Sequence, residues 1–549
     1  MRGPRHALLG AWAALALLGA ALAATGCSAG EEQPGEGDAT IAIGISAQPD
    51  ALDPALSYDP VAWESLWLAY TPLLTYRHAE GEAGSELIPG LARELPEVSG
   101  DGTRYELRLR EGLEYSDGSP VRASDFEHSI KRVLAMESPG TPFFTGIVGV
   151  EGYLEEGRQS ADIEGIETHD RTGEIAIRLE APDATFENAL AMTFAGLVPG
   201  DTPFRDLTKR PPPGVGPYAI TSSDPGRGFV LERREGFDLA GVPAGEVARI
   251  EAEIVRDARR ATEDVISGEL DYIADPPAPD QLAEVRERYG DRYDEFTTTS
   301  TYYFFLNADV PPFDDPAVRA AVNAAIDKRA IARLFGGLME PTCNVIPPNV
   351  PGYRPVEPCP WGDPAEGGDL QRGRRLVERA GAEGVEVKVW GNTEPEPERV
   401  TEYLADVLRR IGLDAKPQLV DASVYFQTIS NQKTEAQTGF ANFFMDFPHP
   451  ANVMTIVDGD AIQPRGNPNL GNVDDPVVNA RIDALRREAD LGAVAEDWAA
   501  LDAQVVGDAW LAPFGNRKLT TFVSERIDLE DCTLVHPLYG HDYTSFCVR

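Results

Sequence analysis

Hydrophobic and polar positions change period several times along this chain, and each change predicts a different element. After a basic start, Met1-Arg2-Gly3-Pro4-Arg5-His6, residues 7–24 form an almost unbroken apolar run, and small residues then lead to Cys27. A basic segment, an apolar core and a small-residue boundary read as a secretory signal over residues 1–26. Residues 27–39 carry no apolar periodicity and read as a flexible tether. Residues 41–45 then form a short apolar strand. Residues 105–110 and 174–179 alternate with period two, each after a turn (Asp101-Gly102 and Thr172-Gly173). These pieces predict an antiparallel subdomain with one wetted face. Residues 385–390 predict a strand, 400–411 an amphipathic helix and 413–420 a second strand, which is the order of an α/β crossover. Residues 318–326 and 477–487 predict further helices.

The chain is too long for one compact core, so two or three domains are expected. With 90 acidic and 49 basic residues, the formal net charge is −41. That balance argues against nucleic acid and against docking on anionic lipid head groups, and it leaves room for steering a cationic ligand. Five cysteines are present. Setting Cys27 aside leaves Cys343, Cys359, Cys532 and Cys547, an even number in an exported chain. Of the three possible connectivities the local ones are expected, Cys343–Cys359 and Cys532–Cys547, since each pair brackets a loop containing Pro or Gly. No Gly-x-Ser-x-Gly elbow, His-Glu-x-x-His helix or phosphate-cradling glycine loop is present. Nothing here marks an enzyme or calls for a cofactor or metal.

Several ordered motifs resemble the extracellular solute-binding proteins of peptide and nickel importers, the oligopeptide/dipeptide-binding family. They begin with Gln48-Pro49-Asp50-Ala51-Leu52-Asp53-Pro54, then Pro89-Gly90-Leu91-Ala92 and Ser116-Asp117-Gly118 with Ala123 and Asp125. Gly214-Val215-Gly216-Pro217-Tyr218, Phe305-Leu306-Asn307, and Pro312 to Arg319 running into Ala325-Ile326-Asp327-Lys328-Arg329 follow in order. The last is Met445-Asp446-Phe447-Pro448-His449-Pro450, where the family has Tyr and a second Asp at the positions of Phe447 and His449. The segment ending at Cys27 is similar to a bacterial lipobox, with Ala24 where Leu is usual.

The resemblance implies an α/β, two-lobed fold of the periplasmic-binding-protein type (class II). Lobe I would span 40–297 with an inserted subdomain at about 72–205. Lobe II would span 298–519, and 520–549 would return to lobe I. The hinge would be two crossing segments, near 298–301 and 518–521. Cys27 would carry lipid, holding the protein at the extracellular face of a bacterial cell membrane as a monomer beside an ABC permease and its ATPase. The ligand would be a short peptide. Asp446 would hold its free amino group, the stretch Asn442, Phe443 and Phe444 would offer a strand edge, and Tyr58 would face them from lobe I. Trp390 and Asn392 end a strand at its carboxyl edge, and one of Tyr302 and Tyr303 should face the cleft, with Tyr303 the candidate. His449, His536 and His541 read as scattered surface histidines rather than metal ligands. Two other functions remain open: a non-peptide solute (sugar, opine, metal chelate) in the same fold, or a secreted hydrolase.

Overall fold

The computed structural model describes residues 39–156 and 162–549; the signal segment, Cys27 and the tether up to residue 38 lie outside these. The described chain forms two lobes, each built on its own sheet. In the first, five strands lie in the order Tyr272–Ile273, Thr40–Ile45, Arg249–Ile254, Gly228–Arg233, Tyr218–Asp224. The first three are mutually parallel and the rest antiparallel. Ile41, Ile43 and Ile45 are buried, as a strand in the middle of a sheet requires.

A separate four-stranded antiparallel sheet runs Glu97–Val98, Arg104–Arg108, Glu174–Arg178, Ile166–His169. Tyr105, Leu107, Ile175 and Ile177 are buried, while Arg108 pairs with Glu174 across the outer face. The expected wetted face is therefore present.

The second lobe centres on a longer sheet in the order Tyr293–Thr297, Leu511–Phe522, Ser300–Leu306, Thr438–Phe444, Glu386–Asn392, Asp414–Val420. Glu386–Asn392 and Asp414–Val420 are parallel neighbours joined by the helix Pro395–Ile411. That helix stops at Gly412, whose φ of 114° suits glycine alone. One long strand ties the lobes together. Leu511–Phe522 pairs with Ser300–Leu306 through its first half and with Tyr293–Thr297 through its second. Beyond it, Val523, Ile527, Tyr543 and Phe546 pack in the same core as Ile41, Ile43 and Tyr218 of the first sheet. Both local disulfides form, Cys343–Cys359 and Cys532–Cys547.

Several of the ordered motifs prove to be structural. Asp53 is fully buried and accepts both guanidinium nitrogens of Arg132, at 3.1 and 2.7 Å. Asp315 and Asp327 cap the helices Pro316–Ala325 and Lys328–Leu334. Gly216 lies against the backbone of Leu68 and Ala69, where any side chain would collide. No helix of the described residues is long and apolar enough to cross a membrane.

Two expectations are corrected. His449, His536 and His541 are not on the surface; they are 4%, 0% and 2% exposed. Alternation also does not present Tyr302 or Tyr303 to the cleft. Ser300–Leu306 is a central strand covered on both faces, and both tyrosines belong to the second lobe's core.

Candidate functional site

The site is assembled from local capping chemistry upward. Asp50 accepts from the Tyr58 backbone N–H (2.7 Å) and the Ser57 hydroxyl (3.0 Å), which sets the loop before the first-lobe helix Pro60–Ala69. Asp59 caps that helix, and Pro60 occupies its first turn. Tyr58 is thereby held with its ring beside Trp63 at 5.6 Å and Phe194 at 6.2 Å. Its hydroxyl donates to Asp446 Oδ1 of the second lobe at 2.5 Å.

Asp446 follows the strand Thr438–Phe444. Its other oxygen accepts from Asn452 Nδ2 (2.9 Å), and its own N–H donates to Asn452 Oδ1 (2.8 Å). Burial pushes the Asp446 carboxyl above the usual carboxylate range, while the Asn452 and Tyr58 hydrogen bonds act against that rise. Asp446 does not cap the following helix; His449 does, accepting from the Ala451 N–H at Nδ1. Burial and nearby Arg486 hold the His449 imidazole down at about 4, so it is neutral. Phe447 inserts into the first lobe's hydrophobic cluster, with its ring edge-on to Phe143. The two lobes therefore touch through a polar pair and an apolar plug from adjacent residues.

Between them lies a cavity of about 350 Å³, within the range of small-ligand sites. Tyr58 and Trp63 line it from the first lobe and Asn442 to Asp446 from the second. Thr298, Thr299 and Leu519 line it from the crossing segments, with residues 536–540 completing the wall. The exposed aromatic side chains among the described residues, Tyr58 (47%), Phe426 (43%) and Phe444 (42%), all border this one space. Exposed aromatic surface gathered at one place marks an interaction site.

The strand edge is available. Thr438–Phe444 pairs along its full length with Ser300–Leu306, but on its other side Glu386–Asn392 reaches only Thr438 and Gly439. Gln437 C=O and Met445 N–H both point to the Ser300–Leu306 side. Antiparallel alternation then turns the N–H and C=O of Asn442 and Phe444 toward the unpaired edge.

Of the residues singled out from the sequence, Asp446, Asn442, Phe443, Phe444 and Tyr58 meet at this cavity. Trp390, Asn392 and Tyr303 are not among its lining. Asn392 turns its side chain to the Glu394 N–H at the start of the next helix, and Trp390 packs against the second lobe's core.

The sequence reading missed Trp63, Glu64 and the 536–540 loop. That loop is held by His536, whose Nδ1 accepts from the Leu538 and Tyr539 N–H groups (3.2 and 3.1 Å). Nε2 must then carry the proton, which it donates to the Gly84 C=O at 2.8 Å. Complete burial depresses the imidazole to about 3. Glu64 accepts from the His541 N–H (3.1 Å) and the Tyr543 hydroxyl (2.7 Å) beneath the loop. No local sequence signal separates such residues from an ordinary core. Among the described residues, no group of three or more His, Cys, Asp and Glu is placed to hold a metal ion.

Over residues 86–463 the chain matches the model for bacterial extracellular solute-binding proteins, family 5 Middle. It is 24% identical over 466 residues to heme-binding protein A of Haemophilus influenzae, covering 80% of each chain. It is 23% identical over 478 residues to the dipeptide-binding protein DppE of Bacillus subtilis, covering 81% of this chain and 83% of that one. Among solved structures, clavulanic acid biosynthesis oligopeptide binding protein 2 superposes with a TM-score of 0.84 at 27% identity. That match covers 94% of this chain and 97% of the other.

Proposed function

The chain belongs to the bacterial extracellular solute-binding proteins of family 5, and from that premise we propose that it captures short peptides between its lobes for an ABC importer. The observation that carries this reading is a buried carboxylate, Asp446, immediately following a strand with an unpaired edge at Asn442 and Phe444. A peptide offers both complements: an ammonium for the carboxylate, and a backbone that adds as a strand. Micromolar capture needs about −8 kcal/mol. A charge-assisted hydrogen bond of roughly 1.5–3 kcal/mol, a few backbone hydrogen bonds and the aromatic walls are a sufficient source.

Ligand that touches both lobes stabilises the closed state by its differential affinity for it. Cys27 carries lipid and keeps this monomeric trap at the outer face of the membrane, near the permease that receives the peptide. The relatives named for binding dipeptides and oligopeptides support this class of solute, and heme-binding protein A makes a metal chelate the second reading. Binding is tested by calorimetry with a short peptide carrying a free amino terminus and with its N-acetylated form. Binding of the first and at least tenfold weaker binding of the second is expected, from the loss of that charged pair. Equal affinities, or no binding of either, would overturn the reading. Anchoring is tested by metabolic palmitate labelling, which should be lost in Cys27→Ala.

A further inference from the structure

Asp446 is not the only carboxylate on the cavity: Glu64, on the helix Pro60–Ala69, borders it from the first lobe. Glu64 is 7% exposed. Its two hydrogen-bond donors, the His541 N–H and the Tyr543 hydroxyl, are both neutral. A carboxylate accepts about four hydrogen bonds, so acceptor capacity remains. The imidazole of His541 lies 3.8 Å away, and its nitrogens are engaged by the Tyr272 hydroxyl (2.6 Å) and the Thr521 hydroxyl (2.8 Å).

No Lys or Arg stands among the described residues that line the cavity. Of the cations nearest along the crossing strand, one is ion-paired and the other lies over an aromatic ring. Lys518 reaches Glu340 at 3.1 Å, and Arg517 lies over the Phe335 ring at 5.2 Å. His536, the remaining candidate in the wall, is held neutral by burial. Tyr58, Trp63, Phe443, Phe444 and Tyr539 supply aromatic rings to the same lining, and the face of such a ring attracts a cation.

We propose that this cleft selects doubly cationic ligands, with a free ammonium at Asp446 and a basic side chain, ammonium or guanidinium, at Glu64. The inference rests on the peptide reading above and names its substrate class: peptides with Arg or Lys near a free amino terminus. Two low-exposure carboxylates bordering one small space, with no Lys or Arg in its lining, are costly to leave without a charged partner, and a dicationic ligand supplies both partners. An acidic side chain or a free carboxylate placed there finds no positive partner. The chain's net charge of −41 adds a long-range bias of the same sign.

The test is calorimetry on the full chain with two peptide amides, Arg-Phe-Ala-NH2 and citrulline-Phe-Ala-NH2, which share shape and amino terminus but differ by the guanidinium charge. The arginine peptide should bind about tenfold or more tightly than the citrulline peptide. In Glu64→Gln that preference should fall to about twofold or less, with the melting temperature followed to verify folding. The wild-type ratio tests the idea independently of how well the variant folds. Equal binding of the two peptides by the wild type, or an undiminished preference in Glu64→Gln, would overturn the dicationic assignment while leaving peptide capture intact. Failure of both peptides to bind the wild type would overturn the assignment together with the peptide reading.

Discussion

Tyr58→Phe removes one oxygen atom and, with it, the hydrogen bond that spans the two lobes to Asp446. The ring contacts to Trp63 and Phe194 are hydrocarbon contacts and survive the change. A hydrogen bond to a charged acceptor contributes about 1.5–3 kcal/mol. In an open form both groups are hydrated, so the low end applies. That still moves the ligand-free closed-to-open ratio by about tenfold, since 1.4 kcal/mol is a factor of ten. Phe447 remains plugged into the first lobe, so closure is weakened rather than abolished. Small-angle X-ray scattering on the ligand-free protein should give a larger radius of gyration for Tyr58→Phe than for the wild type.

The effect must also be coupled to its partner. Asp446→Asn should expand the wild type by more than it expands Tyr58→Phe, since the second change has no hydroxyl left to lose. A second consequence follows from electrostatics. Burial raises the Asp446 carboxyl and the Tyr58 hydroxyl opposes that rise, so the carboxyl climbs further in the variant. Ammonium capture needs the ionised carboxylate, so on acidification peptide affinity should begin to fall at a higher pH in Tyr58→Phe. An unchanged radius of gyration, or equal expansion by Asp446→Asn in both backgrounds, would refute the reasoning.

Other outcomes follow from the same structure. Asp446→Asn should weaken binding of peptides with free amino termini by about tenfold to a hundredfold, read by calorimetry, and should leave little distinction between free and acetylated forms. Replacing both Cys343 and Cys359 with Ser removes a cross-link between residues 16 apart and should cost about 3 kcal/mol in denaturant unfolding under non-reducing conditions. The buried histidines give a pH dependence with a definite sign. His536 is depressed to about 3 and His449 to about 4, from 6.5, so below pH 6.5 the unfolded chain binds protons that the folded one does not. Stability should therefore fall as pH drops from about 6.5 toward 4 and below. Asp502 acts in the opposite direction. Burial lifts its carboxyl from 3.8 to about 7, so its contribution is full at low pH and is lost as pH rises toward 7. Asp502→Asn should accordingly steepen the rise of melting temperature between about pH 4 and 6.5; an unchanged slope would contradict the assignment.

What could be read from the sequence was whatever depends on neighbours within a few residues. Period-two alternation located Arg104–Arg108 and Glu174–Arg178 with their wetted face, and the crossover through Pro395–Ile411 was visible in its apolar period and its Gly412 stop. Ordered turn and cap residues such as Asp53 and Asp315 carried the family resemblance because backbone capping and tight burial tolerate few alternatives. Asp446, Asn442, Phe443, Phe444 and Tyr58 could be nominated through that resemblance. Residues whose meaning comes from distant partners stayed hidden. Alternation alone suggested that Tyr302 or Tyr303 would face a cleft, yet strands on both sides and cover on both faces bury the pair. His536 and His541 sit among prolines and glycines that read as surface loop, but Gly84, Tyr272 and Thr521 close over them from far along the chain.

The sequence by itself therefore determined the locally patterned elements, the family and candidate residues on both sides of the cleft. Only the tertiary structure decided that Tyr58 and Asp446, 388 residues apart, close on each other. It alone placed Glu64 beside the C-terminal loop at the edge of the same cavity. The reason is physical: caps and periods are settled by local hydrogen bonds and sterics, whereas the charge balance of a cleft is the sum of groups that meet only after both lobes have folded.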